Sequence, residues 1–327
     1  MREELQTVCT EFIKDRELSK EAFVWESSYV YPICAGILAD KRQEISAVEL
    51  QQQKKKIKDK TGIFSDFRGS IMAPMACMLA VSEDADKLLE DALAVHELLK
   101  KHFWSSPYLP LVSTIVARLA DPSQYAHMVE KTSEIYQLMK KEHPFLTSGE
   151  DGPFAAMLAF AERSPQGMIA EVEKCYGLLK DQFFSGNAVQ SLCHVLAVGE
   201  GSAESKCSRL ETLFHTLKAR GYKYGTDYEL STLGALSILD ADLDCIVEEL
   251  IQVTDYLETQ KGYGLLGATK RQRMMHAAML VSSTHMEKGA GYVMNSTSIS
   301  STISMIAAQQ AAICAVVAAT AAANASN

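Results

Sequence analysis

Four groups of residues in this chain have types and spacings that could carry chemistry. Gly262-Tyr263-Gly264-Leu265-Leu266-Gly267 fits G-x-G-x-x-G ahead of a helix, with Lys270, Arg271 and Arg273 at that helix's start. In a dinucleotide site such glycines follow a strand inside a βαβ unit, so that a pyrophosphate meets a helix N-terminus. Here residues 245–260 read as an amphipathic helix, and no βαβ pattern occurs in the chain. The match is therefore read as a turn, with Arg271 and Arg273 kept as residues that could meet an anion.

Arg118 is the only charge in an apolar helix, where a buried guanidinium needs a carboxylate or a ligand. Glu162, Glu229 and Asp240 are its candidate structural partners. Cys193-His194 and His276 also lie in apolar helices and could face one cavity, although lone histidines there are more often satisfied core residues. His96-Glu97 begins like H-E-x-x-H, but the next histidine is His102, six residues on rather than four. Those rings lie on different helix faces and cannot share a zinc ion. No G-x-S-x-G elbow, P-loop or Cys-rich zinc pattern is present. The expectation is no catalytic residue, no cofactor and no metal, with Arg118, His194, His276, Arg271 and Arg273 as possible ligand or cavity residues.

These residues need elements to position them. The chain has 327 residues, enough for a sizeable core, and only 26 are Gly or Pro, a helical profile. Its net charge of −9 argues against a nucleic-acid partner, since neutralising phosphates takes excess Lys and Arg. The basic run Lys54-Lys55-Lys56-Ile57-Lys58 reads as one solvated helix face. The start lacks a signal-peptide pattern, and the eight cysteines include no C-x-x-C pair. A reducing cytoplasm is the expected setting.

After an amphipathic helix at residues 3–17, two markers repeat. Apolar helices end at Leu38-Ala39, Leu79-Ala80, Leu119-Ala120, Leu158-Ala159, Leu196-Ala197, Leu239-Asp240 and Leu280-Val281, spaced by 41, 40, 39, 38, 43 and 41 residues. Charged amphipathic helices end at Ile57, Leu99, Met139, Leu179, Leu217 and Leu257, spaced by 42, 40, 40, 38 and 40. Two markers holding one period predict an all-α array of antiparallel helical hairpins over residues 1–286, with a period near forty residues. An α-solenoid is the first expectation and an α/α toroid the alternative. The apolar helices should form the inner layer, because a helix apolar all round is covered on more than one side.

Loops between units share aromatics: Phe103-Trp104, Phe145, Phe183-Phe184, Tyr222 and Tyr263. They are expected to plug gaps between hairpins. Residues 287–302 read as a Gly/Ser/Thr-rich linker. Residues 303–323 form an uncharged stretch in which ten of the 21 residues are Ala. That stretch is expected to be a helix docking on the repeat domain rather than a membrane span.

The repeated apolar-helix, Lys-ended-helix and aromatic-turn units, with the Ala/Gln-rich end at 305–323, resemble an uncharacterised bacterial family. It is known as a domain of unknown function, number four thousand and three. The resemblance spans nearly the whole chain, implies a cytoplasmic bacterial protein and brings no catalytic residues with it. The leading functional expectation is a non-catalytic scaffold that binds a protein or peptide. The alternative is a toroidal enzyme or small-molecule binder with a cavity near Arg118, His194 and His276.

Overall fold

The computed structural model describes residues 1–39, 44–69, 71–264 and 267–287. Those residues form fourteen α-helices and no strand. All but the first residue of the 287–302 linker, and the whole 303–323 segment, lie outside them. No described helix is long and apolar enough to cross a membrane.

The helices alternate in kind as the two markers predict. The apolar series is α2 (Val30–Leu38), α4 (Met72–Ala80), α6 (Leu109–Leu119), α8 (Gly152–Ala159), α10 (Gly186–Val198), α12 (Leu230–Ser237) and α14 (Lys270–Glu287). The amphipathic series is α3 (Ala47–Lys60), α5 (Ala85–Leu99), α7 (Tyr125–Glu142), α9 (Pro165–Leu179), α11 (Ala203–Ala219) and α13 (Leu243–Glu258). Before both stands α1 (Glu3–Ala22).

Sequence sets the difference between the two series. Every residue of α8 and α12 is buried. In α5 the buried set is Leu88, Leu89, Ala92, Val95, His96 and Leu99, one stripe at helical spacing, with Lys, Glu and Asp on the rest. A side chain of the oxygen-bearing kind opens most amphipathic helices. Ser46, Asp84, Ser164, Ser202 and Asp242 each accept a hydrogen bond from a first-turn N–H. Each such cap is worth about 1 kcal/mol against Ala.

Among the described residues the chain divides into two compact units: one holds residues 11–160, the other unites residues 1–10 with 161–287. Within the first, α2 packs on α4 and α6 on α8; within the second, α12 packs between α10 and α14. In both, most amphipathic helices pack most closely on the apolar helix that follows: α3 with α4, α5 with α6, α7 with α8, α9 with α10 and α13 with α14, whereas α11 packs on α9 as closely as on α12. The tight hairpin is therefore amphipathic-then-apolar, and the aromatic loop is its turn.

Polar side chains fasten the second unit. Lys206 is buried, with Nζ 2.6 Å from Glu171 and 3.2 Å from the Gly199 carbonyl. Arg209 on α11 donates to the carbonyls of Ser237, Leu239 and Ala241, which the end of α12 leaves open. Arg2, just before α1, donates to the buried carboxylate of Glu249 on α13.

Candidate functional site

Two successive roles fall to the aromatic loops, one facing in and one facing out. After α1, Phe23 is buried with Lys54 Nζ 5.3 Å from its ring centroid, while Trp25 is 97% exposed. After α3, Phe67 is buried against His96, while Phe64 is 95% exposed. After α5, Phe103 meets Tyr136 edge-on at 5.1 Å, while Trp104 is 93% exposed. After α7, Thr147 is buried and Phe145 is 99% exposed. Phe184, after α9, is fully exposed in the second unit, beside a buried Phe183 that meets Phe214 edge-on.

The outward positions 25, 64, 104, 145 and 184 recur at intervals of 39, 40, 41 and 39 residues. An exposed lysine stands three to five residues before each: Lys20, Lys60, Lys101, Lys141 and Lys180. The expected plugging role holds for Phe103, Phe183 and Tyr263. It is corrected for Trp104, Phe145 and Phe184; at Trp104 and Phe184 the reason is that adjacent loop residues in extended or turn backbone point to opposite sides. If one anchors inward, its neighbour must face water.

The loops that display these rings are pinned. Tyr31 Oη donates to the carbonyls of Phe23 and Glu26 at 3.1 and 2.9 Å, and Lys54 pairs with Glu26 at 2.8 Å. Arg68 donates to the carbonyls of Lys58 and Thr61, closing α3 beneath Phe64. Asp66 joins two loops, with one carboxylate oxygen on Ser105 Oγ and the other 3.1 Å from His96 Nε2. Burial pulls the His96 imidazole below its ordinary range despite that carboxylate. In the fourth loop Thr147 Oγ1 donates to the Met139 carbonyl at 3.1 Å, and Lys140 Nζ to the Thr147 carbonyl at 2.7 Å. Rings held this way lose little further freedom when covered.

The display ends in the last two loops. Tyr222 Oη donates to the Asp255 carboxylate at 2.8 Å and its ring lies under Lys270. Tyr224 and Tyr263 are buried.

The residues singled out from sequence are placed as follows. Arg118 is exposed, not buried. It sits in the last turn of α6, where the chain leaves the apolar layer, and borders an open hollow with Asp84 and Asp91. His276 is buried on α14 with Nδ1 2.9 Å from Tyr263 Oη. His194 is buried on α10. Arg271 is exposed, whereas Arg273 is buried and braces the preceding loop, reaching the Tyr263 carbonyl at 3.2 Å and Glu258 at 3.0 Å.

Gly262–Gly264 and Gly267 lie in a turn after helix α13. Gly262 has φ +86°, and the Gly267 and Ala268 N–H groups donate back to the carbonyls of Gly264 and Gly262. The α14 start is engaged as well, since Thr269 and Gln272 cap one another at 2.9 and 3.3 Å. His96 is buried and His102 exposed, so the pair is split as the spacing required.

A family profile matches residues 16–311, described as "Protein of unknown function (DUF4003)". The chain belongs to that family. Within reach of DUF4003 stands the uncharacterised protein YeaA of Bacillus subtilis (strain 168), which is 26% identical over 266 residues, covering 78% of this chain and 77% of YeaA. No solved structure matches this chain. For this DUF4003 protein the resemblance read from the hairpin units is therefore borne out, and the matched span runs from the end of α1 through α14. The outward aromatics Trp25, Phe64, Trp104, Phe145 and Phe184 all fall inside it.

Proposed function

We propose that this protein is a non-catalytic binding module whose working surface is the row of outward loop aromatics. Its partner is an extended, apolar-bearing segment of another protein. One observation carries the reading: Trp25, Phe64, Trp104 and Phe145 are each almost wholly exposed at one equivalent position of successive repeats. Each leaves about 1.5–3 kcal/mol of possible burial unused by the fold. Single exposed apolar residues need no account, but a register of them does. Trp and Phe rings are also the side chains that dominate protein interfaces.

An extended segment suits the layout because separate loops offer separate ring contacts, and a chain without internal hydrogen bonds can visit them in turn. The setting we propose is the cytoplasm, consistent with seven described cysteines that are all unpaired, six of them buried.

The two tryptophans of the chain are Trp25 and Trp104, so its emission reports on this surface. Peptides selected from a displayed library against the purified full chain should be apolar and should shift that emission to the blue. Trp104→Ser combined with Phe145→Ser should weaken binding by roughly tenfold or more, with the melting temperature unchanged. Selected peptides that bind the double variant equally well would remove the proposal. So would a chain that selects no peptide and instead inserts its tryptophans into anionic phosphatidylglycerol vesicles.

A further inference from the structure

Away from the aromatic row, α13 and α14 bring together three side chains of the ligand-forming kind. Cys245 and Glu249 stand one turn apart on α13, so both project from the same face. His285 lies in the last turn of α14, which packs along α13. One ligand atom from each, the Cys245 sulfur, a Glu249 oxygen and a His285 ring nitrogen, lies within 4.8 Å of the other two.

Burial differs across the group in a useful way. Glu249 is buried, His285 is nearly so, and Cys245 is exposed. The carboxylate is oriented from both sides: His285 Nε2 is 2.6 Å from Oε2, and Arg2 Nε donates to Oε1. An outer partner of this kind is what holds a ligating carboxylate in one rotamer.

We propose that Cys245, Glu249 and His285 form a binding site for a divalent transition ion of the zinc class. The donor set decides the class. One sulfur, one imidazole nitrogen and one carboxylate oxygen suit zinc, cobalt or nickel, whereas calcium and magnesium require oxygen throughout. Size agrees too. Ligand bonds of about 2.0–2.3 Å place tetrahedral donors roughly 3.2–3.8 Å apart, so the three need to move by fractions of an ångström to one ångström.

Binding replaces the Glu249–His285 hydrogen bond with two metal bonds. The Cys245 sulfur binds as thiolate and His285 through an unprotonated Nε2; the thiol proton leaves to the buffer, and the Nε2 proton leaves with it or moves to Nδ1. Arg2 stays on Oε1, outside the coordination sphere. Water completes the sphere on the exposed Cys245 side, so the ion is exchangeable. The sequence conceals this set, because the Cys245-x-x-x-Glu249 pair and His285 lie 36 residues apart with no second cysteine near.

The experiment uses the untagged full chain, stripped with a chelator, and zinc or cobalt chloride alone as the probe. Calorimetry should show one zinc per chain. The cobalt complex should show a thiolate charge-transfer band in the near ultraviolet. Cys245→Ser should abolish the band, and both it and His285→Gln should weaken zinc by about tenfold or more with the helical circular dichroism unchanged. A chain that takes up no zinc, or variants that bind as the wild type does, would overturn the assignment. A cobalt band that survives in Cys245→Ser would do the same, since it would place the ion at another cysteine.

Discussion

Tyr263 Oη lies 2.9 Å from His276 Nδ1, and the two rings meet edge-on with centroids 5.7 Å apart. Tyr263 is the second residue of the glycine-rich stretch, and the pair shows what that stretch is for. It turns the chain so that an aromatic from the α13–α14 loop is buried on α14. Removing the hydroxyl with Tyr263→Phe deprives a buried imidazole nitrogen of this bond and should cost about 1–3 kcal/mol. Tyr263→Ala, which also empties the ring's volume, should cost about 3–5 kcal/mol. Urea midpoints measure both, and a smaller loss for Ala than for Phe would refute the packing role.

Gly262 and Gly267 make the same turn in a second way. Gly262 sits at φ +86°, and a Cβ on Gly267 would collide with the Gly262 carbonyl. Gly267→Ala should lower stability by roughly 1–3 kcal/mol, because the obstacle is backbone and cannot step aside. Titration with NAD should give no binding to either protein. Wild-type NAD binding lost in Gly267→Ala would restore the dinucleotide reading.

Lys206 offers a test of charge in the second unit. Its ammonium is 4% exposed and its partner Glu171 13% exposed. Lys206→Ala leaves that carboxylate only the more exposed Arg163, 3.7 Å away, and should cost up to about 3 kcal/mol, whereas Lys206→Met together with Glu171→Leu should fall near the wild type. Thermal melts of the three proteins separate the outcomes, and equal losses in both variants would count against a burial cost.

Asp151 opens α8 from inside the first unit, and the Ser148 N–H donates to its Oδ2 at 2.8 Å. Burial pushes its carboxyl up to about 7 from an ordinary 3.8. A carboxyl raised on folding binds its proton more tightly in the native state. Its contribution is then full below pH 4 and is lost as pH rises through about 7. The difference amounts to at most about 4 kcal/mol. Asp151→Asn, which keeps an acceptor for Ser148, should therefore gain on the wild type as pH goes from 5 to 8. Parallel urea curves at the two pH values would show that the carboxyl is ordinary.

Periodicity made most of the architecture legible before any coordinates. Seven apolar and six amphipathic helices were countable because burial on all sides and burial on one face write different residue patterns. The direction in which a loop residue points leaves no such pattern. Phe103 and Trp104 are neighbours of the same chemical type, and only packing against Tyr136 separates anchor from display. Trp25 went unread because α1 serves as the amphipathic helix before α2, so the loop series starts one turn earlier than the marker series; Phe64 stands farther past its marker Ile57 than its counterparts stand past theirs. Arg118 misled because an apolar helix predicts a buried charge, whereas its place in the final turn lets it reach water. Contacts such as Glu249 with His285 span 36 residues and need the fold to bring them together.

The bond from Arg2 to Glu249 crosses 247 residues of chain. Residues 1–10 therefore belong with helices that are made much later, while residues 11–160 find their partners among themselves. During synthesis the front of α1 waits without its partner until α13 emerges, and the second unit cannot close before then.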